Sequence, residues 1–164
     1  MKIYLAGSVP KGKQEESEFY NWRVDYADKM SKFIDAEFLD PIDREIDESN
    51  SMEIVGHDCK MIKECDLVVV NATKKLGAGT SQEMVVAKYF KKPVVTVLPK
   101  DTHHRRSNII FYSTPIEDWI HPFINVFSDF VVESVEGIEK IKDNLFTTKP
   151  KDITIVDDAV NFVS

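Results

Sequence analysis

Residues 66–99, DLVVVNATKKLGAGTSQEMVVAKYFKKPVVTVLP, decide the fold. Asp66–Asn71 is short, continuous and β-branched, which is how a strand covered on both faces of a parallel sheet reads. After the loop ATKKLGAG the pattern predicts a helix from about Thr80 to Lys91, then a second buried strand over Pro93–Leu98. Strand, helix, strand in this order implies a right-handed crossover and a parallel pair.

Upstream, Lys2–Ala6 is a short apolar run that stops at Gly7-Ser8. Phe19, Trp22, Tyr26, Met30 and Phe33 then repeat at three and four residues, the spacing of one helix face. Ala36–Leu39 is a strand candidate ended by Asp40-Pro41, and an acidic loop follows through Asp43, Glu45, Asp47 and Glu48. Asn50 with Glu53 three residues on predicts a helix start, and that helix carries Ile54, Met61, Ile62 and Cys65 on one side. Downstream, Thr114-Pro115-Ile116-Glu117 reads as another helix start with proline at the first helical position. Phe127–Val132 reads as a fifth strand and Ser134–Phe146 as a final helix, while Thr147–Ser164 has no single reading. The expected architecture is α/β: one doubly wound, flavodoxin-like or Rossmann-like five-stranded parallel sheet with helices on both faces. Residues 1–164 are expected to be a single domain, with 146–164 as a candidate C-terminal extension.

Composition narrows the function classes. With 164 residues, 43% hydrophobic and 30% charged, the chain has the make-up of an ordinary globular protein. Its net charge of −7 opposes a general nucleic-acid binder, which needs a basic face. No apolar run approaches the roughly 18 residues of a membrane span, and the N-terminus opens directly into a strand, so a cytoplasmic protein is expected. Cys59 and Cys65, six apart, fit neither a zinc knuckle nor a redox pair and read as reduced thiols. The four histidines show no metal-ligand spacing: His103 and His104 are adjacent, so their side chains are expected to diverge, and no metal or other cofactor is expected.

In such a sheet the ligand lies at the carboxyl ends of the strands, near the switch point. The loops to watch are 7–13, 40–49, 73–80 and 99–107. Gly77-Ala78-Gly79-Thr80-Ser81-Gln82-Glu83 is the strongest local feature, a glycine turn opening a helix after a buried strand. Gln82 stands where the dinucleotide fingerprint has its third glycine, and no Gly-Lys-Ser/Thr follows as in a P-loop. Glu83 has two readings: the partner of Thr80 in a capping box, or a carboxylate at the mouth of the crevice suited to be a nucleophile. Asp58 falls on the stripe Ile54, Asp58, Ile62, Cys65 where an apolar residue belongs, so it meets a ligand, bonds a neighbouring loop, or marks a solvated edge of the stripe. Tyr4, in a strand buried on both faces, needs a partner for its hydroxyl. The basic cluster His103–Arg106 reads as a solvated loop, and Lys11 and Lys13 beside Gly12 as candidate phosphate contacts.

Three blocks in order, KIYLAGS (2–8), HDCKMIKECDLVVVNAT (57–73) and GAGTSQEMVVAKYFKKPVVTVLP (77–99), resemble the nucleoside 2-deoxyribosyltransferase family. The resemblance covers about the first hundred residues. It implies that Glu83 is the nucleophile at C1′ of the deoxyribose, that Asp58 is a carboxylic acid contacting the departing base, and that the Tyr4 hydroxyl orients the nucleophile. Gly7, Gly77 and Gly79 would shape the sugar pocket, with Ser8, Lys11 and Ser81 as further substrate-binding candidates. It also implies a homodimer or larger homo-oligomer whose neighbouring subunit completes each site, acting on small nucleosides or nucleotides in nucleotide salvage.

The loop Ser8–Lys13 is closer to the branch that hydrolyses deoxynucleoside 5′-monophosphates, but Pro10 stands where that branch has an arginine. The expected function is cleavage of the N-glycosidic bond of a 2′-deoxynucleoside through a deoxyribosyl–Glu83 intermediate, with transfer to another nucleobase. The alternatives are hydrolysis of nucleoside 5′-monophosphates and a non-catalytic nucleotide-binding domain. A metal-dependent hydrolase built on the histidines ranks below both.

Overall fold

A computed structural model describes residues 1–11 and 20–164. Gly12, Lys13 and Phe19 lie outside the described residues. The parallel sheet is built from β1 (Lys2–Ala6), β2 (Glu37–Leu39), β3 (Leu67–Asn71), β4 (Val94–Val97) and, last in sequence, β7 (Phe130–Val132). Its order is β2-β1-β3-β4-β7, with every pairing parallel. The chain runs outward from β1 to β2 and then returns across β1 to β3, so the switch point lies between β1 and β3. This is the five-stranded doubly wound arrangement expected from the sequence.

The pleat sends alternate residues of each strand to opposite faces. Ile3, Leu5, Leu67, Val69, Val95 and Val97 pack against α1 (Trp22–Met30), and against Val135, Ile138 and Leu145 from the segment after β7. Tyr4, Ala6, Val68, Val70 and Val94 pack on the other face. There they meet Ile62 of α2 (Ser51–Glu64), Met84 and Ala87 of α3 (Ala78–Tyr89), and Ile124 and Phe127 of α4 (Pro122–Phe127). Asn50 caps α2 as expected, its side-chain oxygen accepting from the Met52 and Glu53 amides.

Several local expectations are corrected. Helix α3 begins at Ala78 with Gly77 at the cap position and no side-chain cap, so Thr80 sits inside the helix and the Thr80–Glu83 capping box does not form. Thr114-Pro115 does not start a helix. Residues 105–120 form an antiparallel hairpin, β5 (Arg105–Phe111) and β6 (Thr114–Ile120), inserted after β4. Proline fits there because a two-stranded ribbon leaves one edge of each strand without a ladder partner. The connecting pair Tyr112-Ser113 has φ of 46° and 71°, as a two-residue hairpin turn of the inverted kind requires. Arg105, expected on a solvated loop, is buried at the hairpin base, where it grips Asp118 through two hydrogen bonds of 2.8 and 2.6 Å and also donates to the Leu98 carbonyl. The expected helix over 134–146 divides into a 3-10 segment, Val135–Ile141, and α5 (Lys142–Thr147). The tail forms α6 (Ile155–Phe162). No helix among the described residues is long and apolar enough to cross a membrane.

Candidate active site

Tyr4 occupies the middle of β1, paired in register with Leu39 on one side and Val68 on the other, and it is fully buried. Its phenol reaches toward α3, where Oη donates to Glu83 Oε1 at 2.7 Å. Glu83 Oε2 is inaccessible to solvent and has no hydrogen-bond partner among the described residues. A buried carboxylate oxygen left unpaired is costly, so its environment favours the protonated form. Burial, reinforced by the charge of Asp58, pushes the Glu83 carboxyl up to about 7, while the Tyr4 hydrogen bond and the charges of Arg23 and Arg44 pull the other way. Burial first, then the Glu83 and Asp58 charges, raises the Tyr4 phenol far above its ordinary value, which keeps it a proton-bearing donor.

Asp58 projects from the middle of α2 with about a fifth of its side chain exposed. Its Oδ1 accepts from Arg44 Nη1 at 2.7 Å, and His57 Nδ1 lies 3.4 Å away. The apolar stripe is interrupted because an arginine from the loop after β2 meets the carboxylate. Arg44 in turn spans Glu48, with Nε on Oε1 at 3.0 Å and Nη2 on Oε2 at 3.2 Å.

Arg23 supports the end of β1. It is 1% exposed and donates to the carbonyls of Leu5, Gly7 and Ser8 at 2.9, 2.9 and 3.0 Å. Asp40 at the end of β2 lies 3.4 Å from its Nε. Gly7 is buried under the indole of Trp22: a Cβ there would come within 2.5 Å of Trp22 Cζ2. Its missing side chain is thus required by packing against Trp22. Ser8 and Lys11 are exposed on the loop after β1. Ser8 joins Trp22, Tyr26, Asn71, Lys74 and Leu76 around a cavity of about 460 Å³ at the carboxyl ends of β1 and β3.

Gly77 and Gly79 are exposed, and a Cβ at either would meet nothing within 4 Å, so their backbone stays open to a ligand. Ser81 is separated from the other candidates. Residues two apart on a helix do not share a face, and Ser81 turns away from Glu83, its hydroxyl on the Gly77 carbonyl and its side lining a cavity of about 360 Å³ with Met84, His104, His121 and Phe123. The structure therefore brings Tyr4, Glu83 and Asp58 to one face of the sheet and leaves Ser81 outside that group.

Sequence reading missed Arg23 and Arg44. Arg44 is the single basic residue within the acidic loop 43–48, and Arg23 follows the first tryptophan of an apolar stripe. Each is a lone cation in a context of opposite character, and that was the available signal. The rings of His103 and His104 do not diverge but meet edge to face at 4.6 Å. His104 Nε2 accepts the Leu76 amide at 2.9 Å, and burial, then the neighbouring His103 and His121, pushes its imidazole down to about 4. No group of three or more His, Cys, Asp or Glu placed to hold a metal occurs among the described residues.

A family model described as Nucleoside 2-deoxyribosyltransferase matches residues 3–144. No curated protein matches the chain. Among solved structures, a 2-desoxiribosyltransferase from Leishmania mexicana is similar at 18% identity and a TM-score of 0.53, over 87% of this chain and 97% of that one. The Clostridium botulinum CMP N-glycosidase BcmB aligns at 16% identity and a TM-score of 0.48, over 88% of this chain and 98% of that one. At such identities the first likeness speaks for the fold alone, and the second carries no argument.

Proposed function

The chain belongs to the nucleoside 2-deoxyribosyltransferase family, and from that premise we propose that it cleaves the N-glycosidic bond of 2′-deoxynucleosides through a deoxyribosyl–Glu83 intermediate and passes the sugar to another nucleobase. One observation carries the reading: Tyr4 fixes Glu83 Oε1 while Oε2 is buried and unpartnered. A carboxylate with one oxygen anchored and the other bare is oriented for attack.

In this reading Oε2 displaces the base from C1′, and an acceptor base then displaces Glu83 from the opposite face. Two displacements at one carbon give net retention. The reacting centre needs little assistance, because 2′-deoxyribose lacks the hydroxyl that would withdraw charge from an oxocarbenium-like transition state. The elevated Glu83 carboxyl favours the first half of the cycle, since a carboxylate that ionises reluctantly in its pocket gains from bonding to carbon. Asp58 contacts the departing base, the open backbone at Gly77 and Gly79 borders the sugar, and Gly7, Ser8 and Lys11 lie on the loop that closes the 5′ side. Ser81, on the far side of α3, contributes at most through the helix start. Exposed apolar side chains on the outer helices, Phe123, Val160 and Phe162, support a homo-oligomer.

The test is chromatography of the protein with mixed 2′-deoxynucleosides, with and without a free acceptor base, beside Glu83→Ala. New nucleosides formed only with acceptor and only by the unaltered protein are expected, together with a protein adduct of one deoxyribosyl unit in the mass spectrum when acceptor is withheld. Near-normal turnover by Glu83→Ala overturns the reading.

A further inference from the structure

The proposed reaction leaves a charge unaccounted for. When C1′–N cleavage begins, the bonding electrons move onto the base, and the group nearest the proposed base contact is a carboxylate already held by a guanidinium. Asp58 Oδ1 accepts from Arg44 Nη1, so that oxygen is engaged as an acceptor. Arg44 is different. A guanidinium carries five N–H donors and stays charged. Among the described residues three of these are engaged, Nε and Nη2 on Glu48 and Nη1 on Asp58, which leaves one N–H on each Nη. The side chain is only 10% exposed, and the two-point grip of Glu48 holds its plane fixed. Arg44 Nη1 lies 2.7 Å from Asp58 Oδ1, so a base that meets Asp58 comes within reach of the same guanidinium.

We propose that Arg44 is a second catalytic group of this site, donating a hydrogen bond to the departing base where the charge from the broken C1′–N bond collects. The inference rests on the reading that the site cleaves N-glycosides. In the step, Glu83 Oε2 forms a bond to C1′ as the C1′–N bond breaks. The electron pair passes to the base nitrogen and is shared with a conjugated acceptor, such as a pyrimidine 2-carbonyl. Arg44 stays protonated and donates to that acceptor, and the base takes its proton from water after release. A fixed donor aimed at developing charge needs no reorganisation during the reaction, which is what makes such donors effective.

The experiment is a leaving-group comparison. Rates are measured for the unaltered protein, Arg44→Gln and Arg44→Lys with 2′-deoxyuridine and 5-fluoro-2′-deoxyuridine, whose fluorinated base departs more readily as an anion. A purine pair, 2′-deoxyguanosine and its 7-methyl derivative, runs beside them. Arg44→Gln is expected to slow the poorer leaving group about a hundredfold and the better one far less, while Arg44→Lys, which keeps a cationic donor, recovers most of the loss. Melting curves accompany each variant, and Arg44→Met, which also lacks the cationic donor, carries the comparison if Arg44→Gln folds poorly. An equal loss across both members of a pair marks a merely structural residue and overturns the inference, as does no loss at all. A flat Arg44 profile with Glu83→Ala inactive sinks this inference alone; absence of cleavage by the unaltered protein sinks the parent reading with it.

Discussion

The Tyr4 hydroxyl and the Glu83 carboxylate, 79 residues apart in sequence, meet at 2.7 Å across the interval between β1 and α3. The bond has a direction: a phenol that cannot readily ionise donates to a carboxylate whose burial disfavours its charge. Tyr4 therefore favours the ionised, attacking form of Glu83.

Replacing Tyr4 by Phe removes that donor while keeping the ring. The Glu83 carboxyl then rises above its present value of about 7, and the acid limb of the kcat/KM profile moves to higher pH. A loss of about tenfold is expected below neutrality, shrinking as the pH is raised. A uniform loss at every pH would assign Tyr4 to packing instead.

The same carboxyl makes stability depend on pH in the less common direction. Its folded value of about 7 lies above the ordinary 4.5, so the folded state holds a proton that the unfolded chain has released. The contribution is fully present below about pH 4.5 and is lost as the pH rises through about 7. It amounts to roughly 3 kcal/mol between those limits. Glu83→Gln abolishes this term, so urea unfolding at pH 5 and pH 8 should differ less for the variant than for the unaltered protein.

The glycines divide into two kinds. Gly7→Ala drives a methyl to 2.5 Å from the Trp22 ring, beside carbonyls that Arg23 holds, and should cost about 1–3 kcal/mol in thermal or urea unfolding. Gly79→Ala meets nothing within 4 Å and lies in the first turn of α3, so stability should be unchanged or gain up to about 1 kcal/mol. A stable Gly79→Ala protein with reduced kcat/KM is the outcome expected if the sugar approaches that backbone.

Beneath α3, Lys88 is fully buried and paired with Asp129, whose carboxylate also accepts the Val94 and Lys151 amides at 2.7 Å each. Removing one member of a buried pair strands the other, so Lys88→Met should destabilise by about 3–5 kcal/mol. Lys88→Met with Asp129→Asn should recover part of that loss in the same unfolding assay.

How legible these features are in the sequence depends on how local their causes are. Strands β1, β3 and β4 are visible because continuous apolar runs have few alternatives, and the Asn50 cap because it needs only two neighbouring amides. The hairpin is hidden because its turn is Tyr112-Ser113, without the Asn-Gly or Asp-Gly pair that announces such a turn, and because Pro115 mimics a helix start. Thr80-x-x-Glu83 spells a capping box, yet the cap falls three residues earlier, at Gly77, and Tyr4 claims the carboxylate instead. Arg44 on Asp58 and Arg23 on the β1 carbonyls are tertiary events. No spacing encodes them, and the hints were the misfit of Asp58 with its apolar stripe and the isolation of each arginine among residues of opposite character.

Asp129 has a consequence for how the protein is made. Its two oxygens gather β4, α3 and the backbone at residue 151, and the last of these partners reaches it only after every strand of the sheet has been synthesised. Until then the nascent chain carries a carboxylate oxygen at the foot of the sheet with its native backbone donor still missing. Arrival of Lys151 supplies that amide, and its ammonium adds bonds to the Val126 and Ser128 carbonyls. Arrival of residue 151, rather than completion of the last strand, is then the event that closes this end of the molecule.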